Sequence, residues 1–390
     1  MSLVLVLIFW AMWALVAFTY VIFPVSLWLA ARMRRAAGEP AWMNDADLPT
    51  IAMVVAAHNE ERHIAAKLAN TWALDYPQSR FTLTIGSDGS SDGTNRLLEA
   101  CTRPNLRARL FTQRRGKPSV LNDLVAEVDA DIIVMSDANT RYAPDALRRL
   151  VRHFRDANVG CVSGELKLEQ NGGVSGEGLY WKYEGWIKRC ESRLGFLMGC
   201  NGGIYAMRRS LYQPLPAGTI VDDYVQSLNV LRSGRQVKFD PTAVAVEPPC
   251  ESARDEMVRK SRIGAGAFQS IGLTADLLHP RHGLKAYAFL GHKVMRWFVP
   301  WYLLIGFVAN MLLVTHPFYQ VLMLLQMSGV FTAWLAYRNL LPRFTPRLAR
   351  PISYFYLMNY ALFCGFWRFV WRTQKVTWER AATVAQPVNA

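Results

Sequence analysis

An uninterrupted apolar stretch near the start of the chain constrains the fold more than any other feature. Residues 3–31 contain no charged side chain, and a run of this length can cross a bilayer. Further apolar runs lie within residues 297–371, whereas the middle of the chain has the composition of a soluble domain. The sequence therefore predicts a globular domain between membrane segments. A cleaved signal peptide is the alternative for residues 3–31, but the run is too long and no basic residue precedes it.

Positive charge is concentrated beside the apolar runs of this 390-residue chain, whose formal net charge is +14. The flanking arginines are Arg32, Arg34, Arg35, Arg338, Arg343, Arg347 and Arg350. Because basic loops stay on the cytoplasmic side of a membrane, this placement predicts a multi-pass protein of the inner (plasma) membrane with a cytoplasmic globular domain. Nucleic-acid binding is the alternative use of such charge, but no motif for it is present, so we expect no nucleic-acid partner.

Four regions are predicted along the chain. Residues 1–35 form an N-terminal transmembrane helix, and residues 45–280 form the cytoplasmic domain. Residues 283–296 mix apolar and basic side chains, as a helix on the membrane surface does. Residues 297–375 form a second membrane region with spans at about 298–314 and 318–337. A third run, 353–371, contains Arg368, and whether it crosses the membrane is left open.

Short apolar runs alternate with helical patterns in the first half of the cytoplasmic domain. The predicted strands are Ile51–Ala57, Phe81–Ser87, Arg107–Thr112 and Asp131–Ser136. The predicted helices between and after them are Glu60–Leu74, Asp92–Cys101 and Val120–Val128, with another starting near Pro144. Such alternation predicts an α/β fold with a mostly parallel sheet, covered on both faces. Ligands of such sheets bind beyond the carboxyl ends of the strands.

Polar clusters follow three of these strands, at residues 58–60, 88–92 and 137–139. In the last of them, Asp137 and Asn139 offer two oxygen ligands to a divalent cation that also holds phosphates. A helix cap or turn is the alternative, because Asp and Asn are common there. Asp88 is followed by a Gly-Ser-rich loop, which suits either ligand approach or a cap. Neither a Walker loop nor a dinucleotide fingerprint is present.

Two adjacent carboxylates, Asp222 and Asp223, form a further candidate. Adjacent acids near a site can supply a general base with an adjusted pKa, although a solvated turn is the alternative reading of the pair. Trp181 is a candidate sugar-stacking residue, but aromatic side chains also fill cores and membrane interfaces.

The order of these clusters resembles the inverting family 2 glycosyltransferases, over about residues 50–270. The matching segments are VVAAHNEE (54–61), SDGSSDGT (87–94), RRGKPSVLN (114–122), SDAN (136–139), MGCNGGIYA (198–206) and VDDY (221–224). The arrangement looks closest to the membrane-bound branch that includes cellulose, hyaluronan, poly-N-acetylglucosamine and chitin-oligosaccharide synthases. The resemblance implies a GT-A type nucleotide-sugar-binding domain flanked by transmembrane helices.

The resemblance also implies roles for individual positions. The residues that match the nucleotide-sugar pocket are Ala56, His58, Glu60, Asp88, Lys117, Asp137 and Arg262. Asp137 and Asn139 occupy the DxD position and would hold Mg²⁺ or Mn²⁺. Cys200, Asn201 and Gly202 match the acceptor region, where Trp181 is also placed. Asp223 matches the general base, and its neighbour Asp222 is the alternative.

The implied activity is metal-dependent, hexosyltransferase-type transfer from a UDP-sugar to a saccharide or lipid-linked acceptor, for cell-surface polysaccharide synthesis. Ile263 stands where processive synthases carry a tryptophan, which favours an alternative, the addition of a single sugar to a membrane lipid. A non-catalytic nucleotide-sugar-binding membrane scaffold is the alternative of another class. The sequence does not identify the sugar, the linkage or any partner subunits of an export system.

Overall fold

A computed structural model describes residues 2–34, 38–169, 176–250, 252–338, 340 and 349–374. Most of the basic loop predicted at 338–350 lies outside these residues.

The described strands belong to one sheet. They are β1 (Ile51–Ala57), β2 (Phe81–Asp88), β3 (Leu106–Phe111), β4 (Ile132–Met135), β5 (Arg141–Tyr142), β6 (Val159–Leu168), β7 (Tyr205–Arg208) and β8 (Gln236–Glu247).

The α-helices before and within the sheet region are α1 (Leu3–Ala17), α2 (Phe23–Met33), α3 (Glu61–Trp72), α4 (Thr94–Glu99), α5 (Lys117–Glu127), α6 (Ala146–Val151), α7 (Gly176–Leu194) and α8 (Asp222–Arg232). Those that follow are α9 (Ala253–Thr274), α10 (Leu284–Ala288), α11 (Met295–Leu313), α12 (Pro317–Tyr337) and α13 (Ala349–Val370). Two π-helical segments, Phe18–Ile22 and Phe289–Val294, join α1 to α2 and α10 to α11.

The sheet has eight strands in the order β3-β2-β1-β4-β7-β6-β8-β5. Pairing is parallel between β3, β2, β1 and β4 and between β6 and β8, and it is antiparallel where β7 and β5 join. The predicted α/β class with a mostly parallel sheet is therefore confirmed. The second half of the sheet was not predicted from the sequence.

Complete burial explains why the first strands are apolar throughout. All seven residues of β1 are buried, as expected for a strand covered on both faces. Helix α5 packs closely over β2 at Gly86, where a Cβ atom would lie 2.5 Å from a methyl group of Val120. The end of β2, at Asp88, and the start of α5, at Lys117, are thereby held close together.

The chain divides into two compact units. One contains residues 35–171 and 191–251, with the whole sheet, and the other contains residues 1–34, 172–190 and 252–374. The cytoplasmic domain predicted at 45–280 is thus larger than the compact unit around the sheet, because α9 packs along α13. Gly264 and Gly365 allow this close approach, since a Cβ atom at Gly365 would lie 2.7 Å from the backbone of α9.

Three helical stretches among the described residues are long and apolar enough to cross a membrane. They are Leu3–Met33, Leu284–Leu313 and Pro317–Tyr337. The sequence predicts a surface helix over 283–296 and a separate membrane region from 297, whereas helix is continuous from Leu284 to Leu313. The buried side chains of Phe9, Leu313 and Tyr319, one from each of the three stretches, belong to one apolar cluster.

Candidate active site

The loops that follow β1, β2 and β4 meet at one edge of the sheet. β1 pairs in parallel with β2 on one side and with β4 on the other, so their carboxyl ends coincide. His58 follows β1, Asp88 ends β2, and Asp137 comes two residues after β4. The three polar clusters singled out in the sequence therefore lie along the same edge.

Hydrogen bonds join the first two of these loops. The Nδ1 atom of His58 lies 2.7 Å from the backbone oxygen of Asp88. The backbone N–H of Glu60 donates to the Thr94 hydroxyl at 2.8 Å. Ala56, near the end of β1, is buried. The predicted nucleotide-binding residues of the first loop are thus held in a fixed position against the second loop.

The carboxylate of Asp88 orders the start of α5. It is fully buried and accepts hydrogen bonds from the backbone N–H groups of Arg115 at 2.7 Å and Gly116 at 2.8 Å. Gly116 has a φ of 89°, a conformation that glycine adopts without steric cost. Lys117 follows directly as the first residue of α5. A contact between Asp88 and a nucleotide stays a prediction. It would have to use the two carboxylate oxygens that already accept these hydrogen bonds.

Lys117 links two of the acidic positions. Its Nζ atom donates to Oδ1 of Asp137 at 2.7 Å and lies 3.7 Å from Oδ2 of Asp222. Burial alone would lower the pKa of Lys117, but Asp137 and Asp222 hold that pKa above its ordinary value. The ammonium group is therefore a permanent cation between the end of β4 and the start of α8.

Asp222 and Asp223 occupy the first turn of α8, where the helix dipole favours negative charge. Burial and, to a smaller extent, the neighbouring charge of Asp222 raise the pKa of Asp223 from 3.8 to about 6, against the opposing effect of Lys117. Asp223 also lies against Gly202, because a Cβ atom at Gly202 would be 2.8 Å from Oδ2 of Asp223. A glycine at this position thus leaves room for the carboxylate.

The predicted acceptor segment forms a tight turn beside β6. The backbone N–H of Asn201 donates to the Ser163 hydroxyl at 2.9 Å, and its side-chain amide donates to the Gly164 carbonyl at 2.6 Å. The Cys200 side chain is buried, with its sulfur 3.5 Å from that of Cys161. A contact of Cys200 with an acceptor would therefore have to use its backbone.

The donor set at this edge fits a hard divalent cation. Asp137 and Asn139 present oxygen ligands, and the acids of α8 add negative charge nearby. The position of the Lys117 ammonium shows that a cation is stable against Asp137 and Asp222. Among the described residues, no group of three or more His, Cys, Asp or Glu side chains could hold a metal ion. Mg²⁺ commonly takes one or two protein carboxylates and completes its coordination with substrate phosphates.

Comparison with known families decides the identity of this part of the chain. Residues 52–215 match the sequence profile of Glycosyl transferase family 2, and this range contains β1 to β7 with Asp88, Lys117 and Asp137. Residues 52–215 are a family 2 glycosyltransferase domain.

Two curated relatives of the glycosyltransferase domain make different products. Poly-beta-1,6-N-acetyl-D-glucosamine synthase of Staphylococcus aureus (strain COL) is 26% identical over 210 residues, which are 52% of this chain and 50% of the relative. Beta-monoglucosyldiacylglycerol synthase of Trichormus variabilis is 27% identical over 169 residues, 42% of this chain and 36% of the relative. The chain thus spans about half the length of the first relative and about a third of the second. The resemblance to the poly-N-acetylglucosamine synthase branch is confirmed.

The fold has a counterpart among solved structures. A mannosyltransferase from Pyrobaculum calidifontis, in complex with GDP-Man and Mn²⁺, superimposes with a TM-score of 0.73 at 20% identity. The match covers 94% of this chain and 99% of the mannosyltransferase. This likeness supports the GT-A type fold of the glycosyltransferase domain with flanking apolar helices.

Two predicted site residues belong to the compact unit that contains the apolar helices. Arg262 lies on α9, next to Ile263, whose side chain is 40% exposed. Trp181 lies on α7, and the Nζ atom of Lys260 is 5.9 Å from the centroid of its ring. The roles of Arg262 and Trp181 at the site stay predictions.

One residue of the site was missed by sequence reasoning. Lys67 is 1% exposed, and its Nζ atom donates to the Ser136 hydroxyl at 2.6 Å, directly beside Asp137. The available signal was its position on α3, on the same buried face as Ile64 and Thr71. A lysine on an otherwise apolar helix face requires a polar partner in the interior.

Proposed function

We propose that this protein is a metal-dependent inverting glycosyltransferase that transfers a sugar from a UDP-sugar to a saccharide or lipid-linked acceptor. The observation that carries the proposal is the cluster of Lys117 and Asp137, within the family 2 match, with Asp222 and Asp223, which follow it in the chain. This cluster combines a fixed positive charge, oxygen ligands for a cation and a carboxylate suited to take a proton.

Each part of the cluster has a role in a single displacement. Asp137 and Asn139 would hold Mg²⁺ or Mn²⁺, which neutralises the diphosphate leaving group when bound. Lys117 adds a charged hydrogen-bond donor beside Asp137 for the same phosphates. The acceptor oxygen forms a bond with the anomeric carbon as the bond to the diphosphate breaks, and its proton passes to a carboxylate. Attack from the opposite face converts an α-linked donor into a β-linked product.

The pKa of Asp223 supports its assignment as the base over Asp222. Burial raises the pKa of Asp223 to about 6, close to the range in which general bases work best at neutral pH. The Asp222 carboxylate instead lies 3.7 Å from the Lys117 ammonium, which favours a structural role as the partner of that lysine. Gly202 supports the assignment as well, because the glycine opens space directly beside Oδ2 of Asp223.

A second candidate function is the addition of a single sugar to a membrane lipid. Ile263 favours it, since a processive synthase of this family would be expected to carry an aromatic residue there to stack on the growing chain. The chain is similar both to a polysaccharide synthase and to a glycolipid synthase, so similarity does not distinguish the two functions. The length of the product does. A ladder of oligosaccharides would support polymerisation, whereas one added sugar would support the second function.

The three apolar helical stretches support a membrane location for the reaction. Arginines at the end of the first stretch, beginning with Arg32 and Arg34, support a cytoplasmic catalytic domain in the inner (plasma) membrane. In that location a cytoplasmic nucleotide-sugar and a membrane-bound acceptor would meet at the bilayer surface.

Nucleotide release by the purified full chain tests the proposal. The protein in detergent is incubated with Mn²⁺ and a panel of UDP- and GDP-sugars, and products are identified by mass spectrometry. We expect release with a UDP-sugar, its loss in Asp223→Asn, and retention in Asp129→Asn, which removes an exposed carboxylate of the same domain. Nucleotide binding without release from any donor would support the non-catalytic scaffold and overturn the proposal.

A further inference from the structure

Lys67 is a buried lysine beneath the carboxyl edge of the sheet. It lies on α3, is 1% exposed, and shares the interior face of that helix with the buried side chains of Ile64 and Thr71. Burying an amine costs several kcal/mol unless it is hydrogen-bonded. The hydrogen-bond partners of Lys67 therefore indicate its role.

Both hydrogen bonds of Lys67 reach the segment that carries Asp137 and Asn139. Its Nζ atom donates to the Ser136 hydroxyl at 2.6 Å and to the backbone oxygen of Thr140 at 2.9 Å. These two acceptors flank the predicted cation ligands on either side. The Lys67 side-chain nitrogen therefore ties together the two ends of the turn, from inside the domain.

The same connection extends to the loop beside Asp223. The Ser136 hydroxyl lies 3.3 Å from the backbone oxygen of Gly203, and a Cβ atom at Gly203 would be 2.9 Å from the Thr140 hydroxyl. Gly203 follows Gly202, the residue that leaves room for the Asp223 carboxylate. The turn with the cation ligands and the loop beside the base thus share one buried polar support.

We propose that Lys67 is a positioning residue that fixes the spacing of Asp137 and Asn139 for a divalent cation and the donor diphosphate. The inference rests on the proposed function, since it deepens the role of that site. Lys67 itself is buried beneath the turn and acts through Ser136 and Thr140, so it is not a catalytic residue. Residues that orient metal ligands in this way change metal affinity by about 10- to 100-fold when they are replaced.

A matched control separates this role from a general contribution to folding. Thr71 lies one turn further along α3 and is also 1% exposed. Its hydroxyl donates to the backbone oxygen of Lys67 at 2.8 Å and lies 3.9 Å from the sulfur of Met53, with no hydrogen bond to the turn at 136–140. Thr71→Val therefore disturbs the same buried helix face but keeps the Lys67 side chain and its two hydrogen bonds to the turn.

Binding of Mn²⁺ to the full-length protein in the presence of UDP, followed by electron paramagnetic resonance, provides the test. Lys67→Met should raise the dissociation constant for Mn²⁺ about tenfold or more, whereas Thr71→Val should leave it within about twofold. Ser136→Ala removes one acceptor and keeps the lysine; it should weaken Mn²⁺ binding in the same direction and serves if Lys67→Met does not fold.

Unchanged Mn²⁺ affinity in Lys67→Met or, where that variant fails to fold, in Ser136→Ala would overturn the inference. Equal weakening by Thr71→Val would also overturn it. The outcome is distinguishable from failure of the proposed function. Wild-type protein that binds Mn²⁺ and UDP in a Lys67-dependent manner but transfers no sugar would refute transfer and keep the positioning role.

Discussion

Replacement of Asp223 by asparagine should stabilise the protein while it abolishes sugar transfer. The pKa of Asp223 is raised from 3.8 to about 6 by burial and by the charge of Asp222. A shift of about two units corresponds to about 3 kcal/mol of unfavourable free energy for the ionised carboxylate in the folded state. Asparagine has nearly the same shape and removes that charge. At neutral pH we therefore expect the variant to be more stable by up to about 3 kcal/mol.

The pH dependence of this gain has a definite sign. Because the folded-state pKa is above the unfolded value, the folded protein binds the proton more tightly. The penalty in the wild type is absent below the unfolded value near pH 4, develops as the pH rises, and is complete above about pH 6. The stability difference between Asp223→Asn and wild type should therefore be large at neutral pH and small near pH 4.

Thermal unfolding in detergent, at about pH 4.5 and about pH 7.5, measures this difference. One kcal/mol corresponds to about 2 to 4 °C in a domain of 150–250 residues, so a gain of up to about 3 kcal/mol should raise the apparent Tm by up to roughly 6 to 12 °C at neutral pH. Transfer should fall by about 10²- to 10⁴-fold, the usual contribution of a general base.

Asp92→Asn is a control that should change the stability at neutral pH in the opposite direction. Burial alone would raise the pKa of Asp92, but its hydrogen bonds with Thr94 hold that pKa below the ordinary value. Loss of this carboxylate should lower the Tm at neutral pH. A lower Tm for Asp223→Asn, or an equal gain at both pH values, would contradict a strained, ionised Asp223 in the site.

Three further predictions concern the same site. The kcat/KM for transfer should rise with pH through about 6 and then level; a flat profile between about pH 5 and 8 would contradict the role of Asp223. Gly202→Ala places a methyl group 2.8 Å from Oδ2 of Asp223, so kcat should fall at least about tenfold with little change in the KM for donor, and an unchanged kcat would show that the carboxylate can move freely. Asp137→Ala should eliminate Mn²⁺-stimulated transfer, and full activity of the wild type in chelator would refute the metal role of Asp137.

The first half of the sheet could be predicted from the sequence because each strand is a short apolar run bounded by turn residues. Ile51–Ala57 was predicted at its observed limits, since all of its residues are buried. The later strands escaped prediction for physical reasons. β5 has only two residues, and β8 pairs with β6 through register shifts, so neither has a regular pattern in the sequence.

In the candidate site, too, features set by the local sequence could be predicted, whereas contacts between distant parts of the chain could not. Asp88 and Asp137 were found because they follow strands, where parallel sheets bind ligands. The ion pair between Lys117 and Asp137 joins elements that are far apart in sequence. The raised pKa of Asp223 likewise depends on burial by distant parts of the chain. Similarity to a known motif led to Asp223, whereas Lys67 belongs to no motif quoted for the resemblance.

The configuration of the newly formed glycosidic bond tests the central claim most directly. The product made by the wild-type protein from an α-linked UDP-sugar, once the donor panel has identified that sugar, would be examined by NMR of its anomeric proton. Single displacement, with Asp223 taking the acceptor proton, predicts a β-linkage and no product from Asp223→Asn. An α-linked product, or a β-linked product formed at the wild-type rate by Asp223→Asn, would contradict it.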